Sequence, residues 1–305
     1  MNNVLLFSGS SNAPLSQKVA SILNISLGKI DLTRFADGEL RPWIQEDVRD
    51  KTVFVLQSLS YPMDEHIMEL ALIGDAIRRS APKNMIAVIP YMGYARQDKQ
   101  HRVGEPVSAR VIAKFIEVSK FREVITVDLH NDAIVGFFQI PVTNLSMLPL
   151  LSSKLKTLGL KKPIVVSPDV GGVKRARNLA YEIDVEMVVM EKKRFLDRHD
   201  QSESYQIIGD IKGADAIVID DVISTGGTIA NSAQSLMVAG ASSVTVLATH
   251  GVLAGKATEL LSHPNITKVI LSDTINISKE KQSTNMEIVS TAPIIAEAIQ
   301  TIVGI

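Results

Sequence analysis

Between residues 220 and 228 the chain reads Asp-Asp-Val-Ile-Ser-Thr-Gly-Gly-Thr. Gly226 and Gly227 let backbone N–H groups come close to an anion. Ser224, Thr225 and Thr228 add hydroxyl donors, and a helix starting here adds unpaired N–H groups and the positive end of its dipole. Asp220 and Asp221 are unusual beside such a cradle, because carboxylates repel phosphate. They are suited instead to accept hydrogen bonds from sugar hydroxyls a short distance away. A phosphate cradle next to a pair of hydroxyl acceptors fits a sugar phosphate. It is not a P-loop, since the Gly-Lys-Ser/Thr ending is missing. An Asp pair with Thr-Gly-Gly also serves simply to end a strand and cap a helix, so the string alone leaves both readings open.

The other residues equipped for chemistry lie in two basic clusters, at 96–102 and at 192–198. With a net charge of −1, any polyanionic ligand must be held by such local clusters. Lys192 and Arg194 alternate along an extended segment, which turns both toward the same side and toward one polyanion. The structural alternative is an ordinary charged hairpin. Phe35-Ala-Asp-Gly-Glu-Leu40 reads first as a hairpin turn, Asp-Gly between short apolar segments. His130 stands at the end of a strand, in Val-Asp-Leu-His, and Asp169 in Ser-Pro-Asp-Val-Gly-Gly after another.

These residues need a scaffold of alternating strands and helices. The apolar run 216–219 is short and β-branched, as a buried parallel strand is. After it, Ile229, Ala233, Leu236 and Met237 have the spacing of a helix with one buried face. The acid pair and glycines therefore sit at the carboxyl end of a strand, where open α/β sheets place ligands. Further strands are expected at 3–11 (ending in small residues), 52–57, 85–90, 123–127, 164–167, 186–190, 244–248 and 269–272. Helices are expected at 15–23, 64–79, 107–118, 173–181 and 293–303. The pattern pauses at 141–149 and starts again, which predicts two domains, 1–145 and 146–305, with the last helix packing back on the first. Strands alternating with helices in both halves predict mainly parallel sheets.

At 305 residues, 46% hydrophobic and 21% charged, the chain is composed like a globular protein with room for two cores. There is no cysteine to form a disulfide, a thiolate metal site or a thiol nucleophile. No apolar run approaches a membrane span, so a cytoplasmic location without membrane partners is the expectation. The net charge of −1 argues against a nucleic-acid partner.

In order, FSGS, FADGE, YARQDK, VDLH, VSPDVGG, EKKR and DDVISTGGT resemble the ribose-phosphate pyrophosphokinase (phosphoribosyl pyrophosphate synthetase) family over essentially the whole length. Each string is weak alone, whereas the ordered set is specific. The resemblance implies an α/β fold of two tandem phosphoribosyltransferase-like, doubly wound domains. It implies an enzyme that moves the β,γ-diphosphoryl group of ATP onto the 1-hydroxyl of ribose 5-phosphate, with Mg2+ as cofactor. In that family Asp220 and Asp221 would hold the ribose hydroxyls, and Ser224, Thr225, Gly226, Gly227 and Thr228 the 5-phosphate. Lys192 and Arg194 would be catalytic, with Arg194 also near the ribose phosphate. Phe35, Asp37, Gly38 and Glu39 would form an adenine pocket used by a neighbouring subunit. Arg96 and Gln97 would contact the ATP phosphates, and His130 and Asp169 would serve the metal. A homo-oligomer built from dimers is implied, the hexamer being the larger form usual in the family. The commonest family pattern has an acid where this chain has Ser224, a departure that bears on regulation and assembly rather than on the reaction.

Two neighbouring readings compete. A phosphoribosyltransferase uses the same glycine loop but needs neither the adenine hairpin, YARQDK nor the Lys192/Arg194 pair. A non-catalytic homologue would be expected to lose catalytic positions, all of which are present here. A dinucleotide-binding enzyme would carry a Gly-x-Gly-x-x-Gly after its first strand, and this chain does not.

Overall fold

The computed structural model describes residues 3–193 and 204–304. In chain order the elements are β1 (Val4–Ser8), α1 (Ala13–Leu23), β2 (Ile30–Arg34), β3 (Leu40–Ile44), β4 (Thr52–Leu56), α2 (Met63–Arg79), β5 (Asn84–Ile89), α3 (Ser108–Val118), β6 (Glu123–Val127) and β7 (Val142–Leu145). They continue with α4 (Leu148–Lys156), β8 (Pro163–Ser167), α5 (Val173–Ile183), β9 (Met187–Lys193), β10 (Ser204–Ile208), β11 (Asp215–Ile223), α6 (Gly227–Val238), β12 (Ser243–Gly251), α7 (Ala257–Leu261), β13 (Lys268–Ser272), β14 (Met286–Val289) and α8 (Ala292–Val303). The chain forms two compact units. One comprises Met1–Ser146, Asp273–Asn276 and Ser290–Ile305; the other comprises Met147–Ser272 and Ile277–Val289.

The first unit is built on a parallel sheet in the order β1-β4-β5-β6-β7, with β2 and β3 pairing apart as an antiparallel hairpin. Because side chains alternate along a strand, each strand serves both faces. Leu5, Phe7, Val53 and Val55 pack toward Ile67, Leu70 and Ile73 of α2. Leu6, Phe54, Leu56 and Val88 pack toward Leu15 and Val19 of α1 and Ile295 and Ile299 of α8. The last helix is held at its start by Asp273, whose Oδ1 accepts a 2.6 Å hydrogen bond from the Thr291 N–H. Oδ2 of the same carboxylate accepts from Lys18 at 2.8 Å.

The second unit has a sheet in the order β10-β9-β8-β11-β12-β13-β14, parallel except for the β9–β10 hairpin. The chain leaves β8 in one direction to β9 and β10, then returns to add β11 to β14 on the other side. Strand order therefore reverses between β8 and β11, which makes the carboxyl ends of those two strands a topological switch point. Ala216, Val218, Val244 and Val246 pack with Ile229, Ala233 and Leu236 of α6. The α/β class with mainly parallel sheets thus matches the sequence expectation.

The amino ends of these strands are tied by one carboxylate. Asp215 Oδ2 accepts from the backbone N–H of Lys161 at 2.8 Å and of Lys162 at 3.1 Å, and Oδ1 accepts from the Ser243 hydroxyl at 2.7 Å. These hydrogen bonds hold the Asp215 carboxyl below its ordinary value, the Ser243 hydroxyl contributing most. A lowered carboxylate stabilises the fold above the unfolded-state value and loses that contribution as pH falls through the folded one. Asp215→Asn is expected to lower unfolding free energy by about 1–3 kcal/mol at neutral pH, since it weakens charge-assisted hydrogen bonds at a strand junction. The deficit should shrink as urea melts are taken below the ordinary 3.8. A pH-independent deficit would mean that the carboxylate acts only by packing.

Candidate functional site

Strand β11 runs further than its apolar run predicts. Pairing with β12 continues through Asp220 opposite Ala248 to Ile223 opposite Gly251, so the acid pair lies within the strand rather than after it. Hydrogen bonding to a neighbour strand overrides the low strand preference of aspartate. Asp221 is buried, its side chain 5% exposed, whereas Asp220 keeps 25% exposure. Both are reached by Arg175 of α5. Its Nη1 lies 3.3 Å from Asp220 Oδ1 and its Nη2 lies 3.3 Å from Asp221 Oδ1. Asp220 Oδ1 also accepts from the backbone N–H of Asp221 at 2.8 Å. Burial, together with the hydrogen bond and negative charge of Asp221, pushes the Asp220 carboxyl up to about 7, against the pull of Arg175.

Beyond Ile223 the chain turns into α6 through Ser224, Thr225 and Gly226. Gly226 has φ +78, the left-handed region, and a Cβ there would lie 3.3 Å from Ala257 Cα. Both constraints call for glycine. The loop is tethered from outside: Ala254 N–H donates to the Ser224 carbonyl at 2.9 Å, and Val252 N–H to the Ile223 carbonyl at 3.0 Å. The first internal bond of α6 runs from Ala230 N–H to the Gly226 carbonyl, and no side chain caps the helix start. The N–H groups of Gly227, Thr228 and Ile229 precede that bond, as in any helix start. Thr225 and Thr228 are exposed, and a Cβ on Gly227 would meet no atom within 4 Å. The turn is open where an anion would approach.

Across the switch point, β8 ends in Ser167-Pro-Asp169. Asp169 Oδ1 accepts from the Gly172 N–H at 2.8 Å, and the Ser167 hydroxyl donates to the Asp169 carbonyl at 2.7 Å. One carboxylate oxygen thus fixes the turn into α5, while Oδ2 has no hydrogen bond among the described residues. Lys192 lies in β9, opposite Tyr205 of β10. Arg194 lies outside the described residues. In this unit Asp169, Asp220, Asp221, Lys192 and the Ser224–Thr228 turn therefore gather on the carboxyl edge of one sheet.

The remaining sequence candidates belong to the first unit. Phe35, Asp37, Gly38 and Glu39 form the tip of the β2–β3 hairpin. The turn is closed by bonds from Phe35 N–H to the Glu39 carbonyl and from Gly38 N–H to the Phe35 carbonyl, each 2.9 Å. Phe35 is 51% exposed, with Arg41 over its ring at 5.3 Å. An ion pair of Arg34 with Glu65 fastens the hairpin to the start of α2. Arg96 and Gln97 follow β5, and both are exposed. Their loop is pressed against the end of β4, where a Cβ on Gly93 would lie 2.4 Å from the Leu59 carbonyl oxygen. Gln97 accepts from the Ser108 hydroxyl at the start of α3. His130, exposed, follows β6. Asn131 Nδ2 donates to Asp98 Oδ2 at 2.7 Å, which joins the loop of His130 to that of Arg96 and Gln97.

His130 and Asp169 lie in different units, and among the described residues no three His, Asp or Glu side chains form a ready-made metal cage. A magnesium ion held on nucleotide phosphates needs only one or two carboxylate oxygens and keeps several waters. Asp169 Oδ2 fits that requirement, while the imidazole of His130 is better suited to a bound water or phosphate oxygen. Arg175 was not among the sequence candidates. The signal, an arginine three residues after the Gly-Gly of the turn, reads as an ordinary helix residue until β8 and β11 are known to be neighbours.

Comparison with known proteins gives a consistent result. The model described as the N-terminal domain of ribose phosphate pyrophosphokinase matches residues 4–119, and that described as the phosphoribosyl synthetase-associated domain matches residues 196–304. The ribose-phosphate pyrophosphokinase of Bacillus cereus is 42% identical over 298 residues, 98% of this chain and 93% of its own. That of Aquifex aeolicus is 43% identical over 303 residues, 99% of this chain and 96% of its own. The crystal structure of phosphoribosylpyrophosphate synthetase from Mycobacterium smegmatis superposes with a TM-score of 0.94 at 34% identity, covering 99% of each chain.

Proposed function

The chain belongs to the ribose-phosphate pyrophosphokinase family, and we propose that it moves the intact β,γ-diphosphoryl group of ATP onto the 1-hydroxyl of ribose 5-phosphate. The ribose O1 forms a bond to the β-phosphorus as the bond from that phosphorus to the α,β-bridging oxygen breaks. AMP departs with the bridging oxygen, the O1 proton is released, and 5-phosphoribosyl 1-diphosphate remains. The observation that carries this reading is the run of β11 through an acid pair into a left-handed glycine and an uncapped helix start. It supplies hydroxyl acceptors and a phosphate cradle on one rigid strand-to-helix connection.

In this reading Ser224–Thr228 bind the 5-phosphate, and Asp220 and Asp221 accept from the ribose hydroxyls. Lys192 and Arg194 compensate the charge that spreads over the transferring group, for a transfer in which positioning and electrostatics dominate. Arginine suits bidentate phosphate contact, and lysine acts as a mobile point charge. Arg96 and Gln97 take the ATP phosphates, and the exposed hairpin carrying Phe35, Asp37, Gly38 and Glu39 takes the adenine of a neighbouring copy. A homo-oligomer built on dimers follows from that sharing. Asp169 and His130 are the residues that would hold Mg2+, which would neutralise the nucleotide phosphates. The setting is cytoplasmic nucleotide biosynthesis; no helix among the described residues is long and apolar enough to cross a membrane.

Phosphorus NMR of the purified protein with magnesium, ATP and ribose 5-phosphate tests the reaction. AMP and 5-phosphoribosyl 1-diphosphate should accumulate in equal amounts. ADP as the nucleotide product would replace diphosphoryl transfer by ordinary phosphorylation. No turnover, with and without added inorganic phosphate, would favour the non-catalytic homologue.

A further inference from the structure

The side chain of Arg175 bridges the acid pair to another element of the switch point. It belongs to the first turn of α5, whose entry is set by the Asp169 carboxylate on the Gly172 N–H. Its guanidinium reaches across to β11 and places one nitrogen on each of Asp220 and Asp221, both at 3.3 Å. Adjacent residues of a strand normally project to opposite faces. Here a single planar fork engages both, helped by the return of Asp220 Oδ1 onto the Asp221 N–H. Arginine can do this because its donors diverge in a fixed plane, and lysine cannot. The Arg175 side chain is only 28% exposed, so it is held by the fold rather than recruited from solvent.

We propose that Arg175 is the positioning residue for sugar recognition: it holds the Asp220 and Asp221 carboxyl groups in one arrangement, as a matched pair of acceptors for two neighbouring ribose hydroxyls. The inference rests on the ribose reading of the acid pair. It adds that the pair is not self-organising. Two carboxyl groups this close repel each other when ionised, and one of them is buried, so without the shared guanidinium nothing in this contact keeps them turned to the same side. Because Arg175 is anchored three residues after Gly172, the same contact also sets the acid pair against the Asp169 turn.

The test is direct binding to the full-length enzyme by calorimetry, with ribose 5-phosphate and ATP titrated separately. Arg175→Gln is expected to weaken ribose 5-phosphate binding about tenfold or more, through loss of a charge-assisted arrangement. ATP binding should stay within about twofold, and millimolar guanidinium added back should recover part of the lost sugar affinity. Arg175→Lys keeps the charge without the fork and is expected to fall between wild type and Arg175→Gln; it carries the same test if the glutamine variant does not fold. Equal weakening of both ligands, without rescue, would make Arg175 a general scaffold residue and overturn the proposal. Unchanged sugar affinity in the Arg175 variants, alongside weakened affinity in Asp220→Asn, would overturn the proposal and leave the ribose reading standing. Unchanged affinity in all three would remove both.

Discussion

Replacing Lys192 by alanine is expected to lower kcat by about 10²–10³-fold, with KM for ATP and ribose 5-phosphate within about twofold of wild type. In the proposed reaction the transferring diphosphoryl group passes through an arrangement in which charge builds on the β-phosphoryl oxygens and on the departing bridging oxygen. A cation aimed at that charge stabilises the transition state more than either substrate complex, so its loss appears in kcat. Strand β9 pairs with β8 as far as Val189 opposite Ser167, so position 192 comes three residues after the end of that pairing, at the carboxyl edge of the sheet. Initial rates with each substrate varied in turn would check the expectation. An unchanged kcat would remove Lys192 from the chemical step, and a raised KM at constant kcat would reduce it to a binding residue.

Asp220→Asn is expected to have two effects of opposite sign. Sugar binding should weaken, with KM for ribose 5-phosphate raised about 10–100-fold, because on the ribose reading an amide replaces a carboxyl acceptor. Stability should rise. The Asp220 carboxyl is displaced from the ordinary 3.8 to about 7 by burial and by the charge of Asp221. A carboxyl raised in the folded state opposes folding once it must ionise: the penalty is absent below the unfolded value, grows between the two and is complete above the folded one. A displacement of that size is worth roughly 4 kcal/mol at full value. The quarter of the side chain left to water and the ion pair lost with the charge reduce the expected gain to about 1–3 kcal/mol. Urea melts of both proteins across this pH range would therefore coincide at the acid end and separate progressively up to neutrality. A variant less stable than wild type above neutrality would show that Arg175 more than compensates the buried charge. Unchanged sugar affinity would count against the ribose assignment. The expected outcome is a site held at the expense of stability, as binding residues often are.

Much of this protein was legible in its residues because the signals are local. Short β-branched runs alternating with helical spacing identify an α/β chain wherever it is read, since burial on both faces of a parallel strand and on one face of a helix demands those patterns. The glycine turn after β11 was equally legible: a left-handed φ at Gly226 and an open approach at Gly227 are properties of the residues themselves. The ordered motifs then identified the family. What the residues could not reveal was adjacency. That β11 extends through its acids depends on hydrogen bonds to β12, 28 residues on, which outweigh aspartate's poor strand preference. That Arg175 meets Asp220 and Asp221 depends on the reversal of strand order between β8 and β11, which brings positions 175 and 220 together across a sheet. The same dependence applies to the tie between Asn131 and Asp98, and to α8 joining the first unit through Asp273. Local preference determines which residues can cradle a phosphate or accept from a sugar. Only the pairing of distant strands decides which charge stands beside them, because contacts far apart along the chain carry no periodic trace in it.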